Sequence, residues 1–230
     1  SDLLLIWMFA FGAVSYAAIP QQEEMVLGQR CIRWRWIPAI LLALPYVIWA
    51  AWRRDGFGET APYRAMFNAT PSSLLEFGGF LAQETKDRGY AAIEIIFKSL
   101  VSHSDLIFFF FIAAVQMLCL IGIYRRYSRN FWLSMFLFVA STDYLAWMHN
   151  GTRQFLTTAI IFACLPLLLK KKYVPMVLIV LVLAQVHLSA IVFFPFIFII
   201  LYGELCSIVD VNSLFPEIST LIIIFLSPFL

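Results

Sequence analysis

A chain of 230 residues that is 62% hydrophobic and 17% aromatic, with only 13% charged residues, carries more apolar surface than a soluble domain of that length needs. Its net charge of +2 is spread along loops and leaves no footprint for nucleic acid, so no nucleic-acid partner is expected. Ten-residue alternation is missing, which excludes a β-barrel and leaves an all-α, polytopic transmembrane helical bundle as the expected class.

In chain order, the first apolar stretch, 3–19, lacks a basic leader and a cleavage site and is expected as a retained helix. A second covers 37–52. Leu106–Tyr124 runs without a charge for the length that crosses a bilayer core at about 1.5 Å per residue. Further apolar stretches fall at 131–148, 154–169, 174–187, 189–202 and 218–230, giving about seven to eight spans in a single membrane domain over 1–230. Tyr173–Tyr202 is too long for one upright crossing and too short for two. Either two short helices meet near His187 or one tilted helix breaks there, and Pro166, Pro175 and Pro195 favour breaks. Ser1 and the closing apolar run LIIIFLSPFL read as the edges of a longer chain. Cys31, Cys119, Cys164 and Cys206 form no CxxC pair and are expected as reduced, structural thiols.

Lys and Arg set the expected orientation. Arg30, Arg33 and Arg35 fill one short loop, Arg125, Arg126 and Arg129 the next, and Lys170, Lys171 and Lys172 a third. These compact basic loops belong in the cytoplasm. The N-terminus, the long segment 53–105, the HNGTRQ turn and His187 then face outward. Within the outer segment, Gly89–Val101 places Tyr90, Ile93, Phe97 and Leu100 on one helical face. Glu94 and Lys98 are expected as an i,i+4 pair on the other, which suits a helix lying on the membrane surface. The stretch Arg53–Asn68 reads as a site-forming loop.

The residues that stand out are Arg64, His149, Arg153 and His187, each in or at the lip of apolar sequence. An Arg at a helix centre costs about 3 kcal/mol on insertion, so such residues usually face a cavity and serve a site. His149 and Arg153 flank Gly151 where a new span begins, and a cation beside free helix N–H groups makes an anion pocket. A planar guanidinium matches diphosphate with two parallel hydrogen bonds. The plainer alternative is that Arg153 snorkels to headgroups while His149 caps the turn. For His187, a neutral imidazole is a candidate to accept a proton from a sugar hydroxyl; the alternative is a core histidine bonded to Ser189 or a carbonyl. Tyr63, Arg64 and Phe67, with Arg53, Arg54, Asp55 and Glu59, form the richest polar cluster, in which acids and rings together suit carbohydrate. Loop ion pairing and aromatic anchoring account equally well for at least part of it. Asp143 is expected as the buried partner of an Arg. No GxxxxGK, HExxH, GxSxG or DxD element occurs, and the His residues are dispersed, so neither cofactor nor metal is expected.

Five elements occur in order: a GxDxxxY…F-like run at Gly58–Phe67, an ExGY-like run at Asp87–Tyr90, NGTRQ at Asn150–Gln154, KKKY at Lys170–Tyr173, and HxS at His187–Ser189 followed by Pro195. In this order and spacing, from about Arg53 to Pro195, the chain resembles the EpsG family of Wzy-like exopolysaccharide polymerases. Glu59 stands where Asp is usual and Asp87 where Glu is usual. The resemblance implies a multi-pass protein of the bacterial cytoplasmic membrane, related in fold to the GT-C glycosyltransferases. It further implies an enzyme that joins undecaprenyl-diphosphate-linked oligosaccharides at the outer face, without a metal, among membrane lipids and other polysaccharide export proteins. On that reading Arg153 and Arg64 neutralise the leaving diphosphate, and His187 or Glu59 takes the acceptor proton. Tyr63, Phe67, Arg54, Asp87, Tyr90, His149 and Gln154 hold the substrate. Two other classes stand beside it. A transporter or flippase of lipid-linked glycan is served by the same residues but predicts an inverted repeat, which is not seen in the sequence. For an O-acetyltransferase or glycan ligase, acyl transfer wants a His beside a nucleophile, which the inner loops do not offer.

Overall fold

The computed structural model describes residues 2–18, 22–26, 29–84, 86–141 and 147–209. Ten α-helices are bounded among them, with a short hairpin between the first two. Helix α1 is Asp2–Ala18, and strands β1 (Gln22–Val26) and β2 (Gln29–Arg33) pair antiparallel before α2, Trp36–Ala51. The outer segment holds α3 (Thr60–Ala69), a 3-10 turn at Leu74–Glu76, α4 (Phe77–Gln83) and α5 (Arg88–Leu100). Helices α6 (Asp105–Tyr127), α7 (Phe131–Ala140), α8 (Thr152–Leu169) and α9 (Tyr173–Val186) follow. A 3-10 segment, Leu188–Phe193, then leads into α10, Phe194–Val209. The helical class stands, and the hairpin is an addition the apolar pattern did not announce.

Helix α6 is the central pillar. Its apolar run needs no partner outside the helix for its backbone, and Asp105 in the first turn with Arg125 and Arg126 in the last complement the macrodipole. One flank (Ala113, Met117, Leu120, Ile121) packs with α1, α2 and α7. The other (Phe108, Phe109, Ile112) packs with α3, α5, α8 and α9. Helix α8 likewise gives Phe155 to the first core and Leu156, Ile161 and Leu168 to the second. Only α6 and α8 among the described helices are long and apolar enough to cross a membrane; the other apolar helices have 10–17 residues.

Several boundaries differ from the apolar pattern. The stretch 131–148 is not one helix: α7 ends at Ala140, where the Ser141 N–H bonds back to Leu137 and Phe138 carbonyls, and helix resumes at 147–149. Over 173–209 the chain makes two helices, and proline does not make the break. Pro175 and Pro195 sit in first turns, where a missing N–H is harmless. His187 adopts an extended conformation, φ −156° and ψ 127°, and ends α9. The stretch 218–230 and Asp143 lie outside the described residues.

The surface-helix expectation for 89–101 is overturned by burial. Glu94 is 1% and Lys98 8% exposed, whereas Leu100 on the supposed apolar face is 67% exposed. Helix α5 is wedged between α3, α6 and α9, and the Lys98 ammonium spends its three donors on the carbonyls of Phe67, Asn68 and Thr70 at 2.8, 2.9 and 2.6 Å. Lys98 thus caps the C-terminus of α3, where unpaired carbonyls and the negative end of the dipole coincide.

Candidate active site

The end of α2, the loop 52–59, α3, and the starts of α5, α6 and α8 meet at one end of the bundle. Arg53 fastens them. Its guanidinium lies 4.1 Å from the Phe109 ring centroid, and Nη1 donates to the Met148 and His149 carbonyls at 3.2 and 3.4 Å and to Thr152 Oγ1 at 3.2 Å. Burial draws its ionisation down to about 10. Gln116, in mid-α6, donates to the Thr152 carbonyl at 2.9 Å, so a polar side chain in an apolar helix fixes the first turn of α8. Gly58, at φ +60°, lies so close to Asn150 and the His149 carbonyl that a Cβ there collides with the Asn150 side chain. The GFGET loop is therefore seated on the HNGTRQ turn.

Arg153 projects from this first turn. Nη1 bonds Asp87 Oδ2 at 2.7 Å, Nε reaches Tyr63 Oη at 3.4 Å, and the guanidinium carbon lies 5.3 and 5.7 Å from the Tyr63 and Tyr90 ring centroids. A carboxylate and two ring faces thus fix its plane. The side chain is 26% exposed, and Nη2 makes no hydrogen bond to a described residue. Tyr90, 1% exposed, has its hydroxyl held well above the ordinary range by burial and then by the nearby Glu94 carboxyl.

Arg64 is placed differently. Nε meets Asp105, Nη1 meets Asp55, and Nη2 donates to the Arg53 carbonyl at 3.3 Å. Every guanidinium nitrogen is committed, so Arg64 ties α3 to the loop and to the start of α6. Asp55, Asp87 and Asp105 pair with these two arginines, Asp55 and Asp105 with Arg64 and Asp87 with Arg153.

The remaining candidates divide. His149 is 1% exposed, its ring 5.2 Å from Trp49 and 4.9 Å from Phe57, so the imidazole is core while its carbonyl serves Arg53. Phe67 is fully buried, stacked on Phe108 at 4.5 Å. Arg54 and Glu59 are exposed, and neither side chain bonds a described residue. His187 Nδ1 lies 2.7 Å from Ser189 Oγ and accepts the Ser189 N–H at 3.3 Å. Gln154 and Ser189 line one cavity of about 270 Å³, with Thr158 and apolar side chains behind them. Gly89 carries the start of α5 onto the backbone of Gln185 and Val186, just before His187. The structure therefore gathers Tyr63, Asp87, Tyr90 and Arg153, and sets His187 and Gln154 on their flank.

A profile described as the EpsG family matches residues 36–230. The chain belongs to the EpsG family. With its apolar helices, this membership points to a membrane protein of polysaccharide biosynthesis. No curated protein and no solved structure matches the EpsG chain significantly. Gln116, Asp105 and the burial of Glu94 are contributions to the site that the apolar pattern does not announce. Gln116 was visible as the one amide inside a charge-free span, a position where polar groups are rarely idle. Glu94 was masked by Lys98 four residues on, because that spacing looks the same whether the face is wet or dry.

Proposed function

We propose that this EpsG chain is a multi-pass polysaccharide polymerase of GT-C-like fold in the bacterial cytoplasmic membrane. It joins undecaprenyl-diphosphate-linked oligosaccharide units at the outer face without a metal. The observation that carries the reading is Arg153, oriented by Asp87, Tyr63 and Tyr90 at the start of α8 with one nitrogen uncommitted. Two-ended charge placement supports the orientation. Arg125 donates to the Trp34 carbonyl at 2.6 Å near the basic hairpin, whereas Arg53, Arg64 and Arg153 cluster at the other end of α6 and α8.

In the reaction an acceptor hydroxyl oxygen bonds the anomeric carbon of the donor sugar. The bond from that carbon to the diphosphate breaks, and its electron pair leaves with the lipid diphosphate. Arg153 neutralises the charge gathering there, an effect worth a few kcal/mol, about 3, for one well-placed donor. Glu59 takes the hydroxyl proton; it lies one turn before Tyr63 and its carboxylate is exposed and uncommitted among the described residues. The surface at Gln154 and Arg54 receives the sugars, the buried Tyr63 and Tyr90 back it through Arg153, and Arg64 keeps α3 in place. Phe67 and His149 support the site from the core.

Purified protein in nanodiscs, given a polyprenyl-diphosphate oligosaccharide, is expected to build a ladder of longer glycans that persists in EDTA. Arg153→Lys keeps the charge but loses the fork, so the ladder disappears while the melting temperature holds. Normal polymer length in that variant removes Arg153 from the mechanism.

A further inference from the structure

We propose that His187 meets the glycosyl diphosphate as a hydrogen-bond donor through Nε2, and that Ser189 is the positioning residue that fixes this tautomer. The inference rests on the polymerase reading and gives His187 a part in it other than the proton acceptor that the family resemblance implies. An imidazole capping the 3-10 segment does so with Nδ1, which accepts the Ser189 backbone N–H at 3.3 Å. A backbone N–H only donates, so Nδ1 carries no hydrogen in this arrangement, and the ring hydrogen resides on Nε2. The Ser189 hydroxyl, 2.7 Å away, then donates to the same nitrogen and turns its oxygen lone pairs elsewhere. A ring held in this way offers a hydroxyl-bearing acceptor nothing to receive a proton with at Nε2. It offers an oxygen anion a fixed donor.

The surroundings place that donor usefully. Ser189 shares its cavity with Gln154, the residue after Arg153, and Gly89 presses the helix that begins beside Asp87 against Gln185 and Val186. The half-buried imidazole therefore stands on the flank of the Arg153–Asp87 pair, where a second donor adds to the neutralisation of the departing diphosphate.

The tautomer is read directly from the ring nitrogens of 15N-histidine protein, which contains three histidines, the His187 signals being those lost in His187→Gln. Wild-type protein is expected to show bare Nδ1 and protonated Nε2, and so is Ser189→Ala, which keeps the backbone N–H. Ser189→Pro, which removes that donor in a first turn where proline is tolerated, is expected to shift toward the other tautomer. Function is tested with amides that mimic one nitrogen each. His187→Gln places an N–H where Nε2 stood, so polymerisation falls by no more than about tenfold. His187→Asn reaches only the Nδ1 position and loses about a hundredfold or more. Polyprenyl diphosphate binding, measured separately, follows the same order. A protonated Nδ1, or Gln and Asn variants that fail equally while folded, overturns the proposal. If wild-type protein builds no polymer yet binds the diphosphate with the Gln variant like wild type and the Asn variant weaker, the donor role stands and the polymerase reading falls.

Discussion

Replacing Glu94 by Gln should stabilise the protein at neutral and alkaline pH and leave it unchanged in acid. Glu94 is 1% exposed; Thr70 Oγ1 donates to Oε2 at 3.3 Å, and Oε1 has no hydrogen-bond partner among the described residues. Burial lifts its ionisation from the ordinary 4.5 to about 7, Glu84 adds to the lift, and Thr70, Arg153 and Lys98 oppose it. A carboxyl whose folded value lies above its unfolded one binds more protons folded than unfolded. Stability is therefore greatest below about 4.5, declines as pH rises through about 7, and is level above that. The interval corresponds to about 3 kcal/mol at ~1.4 kcal/mol per pH unit. Glutamine keeps the carbonyl that accepts from Thr70 and removes the charge that burial penalises. Thermal unfolding in detergent at pH 4, 6 and 8 should give a wild-type Tm that falls relative to Glu94→Gln as pH rises. Parallel Tm profiles would falsify the buried-carboxylate reasoning.

Gly89→Ala should lower both Tm and polymer yield, because its Cβ would stand 2.7 Å from the Gln185 carbonyl carbon and 2.9 Å from Val186 N, both backbone atoms that cannot swing aside. A cost of about 1–3 kcal/mol is expected, with α5 displaced from α9. Lys98→Met should destabilise by about 2–3 kcal/mol, since three carbonyls at the end of α3 lose their donor; a Tm equal to wild type would show that water replaces it. Arg64→Lys should weaken the fold and lower activity only as far as folding falls, whereas Arg153→Lys should abolish activity in a folded protein. Comparing activity per folded molecule separates the two arginines, and equal specific losses would contradict the division drawn between them.

The apolar periodicity announces most of the helices because it reports where a chain can leave water, and α6 is legible over Leu106–Tyr124, while Asp105 and Arg125–Tyr127, which the pattern assigns to loops, extend the helix at both ends. It could not announce where α7 stops or how α9 ends. Those boundaries depend on single side chains bonding a few residues away, as His187 does with Ser189. The clustering of Tyr63, Asp87 and Arg153 was legible only as a list of suspects, since α3, α5 and α8 are brought together by tertiary packing that spacing does not encode. The position of Glu94 and Lys98 failed for a related reason: one helical spacing serves both a surface ion pair and two separate buried anchors.

Two arginines that looked equivalent in sequence differ in what remains of each guanidinium after the protein has used it. Arg64 meets two carboxylates and a carbonyl, so its charge is balanced within the protein and each of its three nitrogens already holds a partner. Arg153 meets one carboxylate and one phenol, and the ring faces of Tyr63 and Tyr90 orient the guanidinium without consuming its hydrogens. A cation beside apolar helices must be held before a ligand arrives, or it turns to headgroups. Asp87 supplies that hold through one nitrogen, and the planar fork keeps the others aligned. The pairing that seems to compete with an anionic substrate is thus what keeps the guanidinium pointed at the place the substrate must occupy.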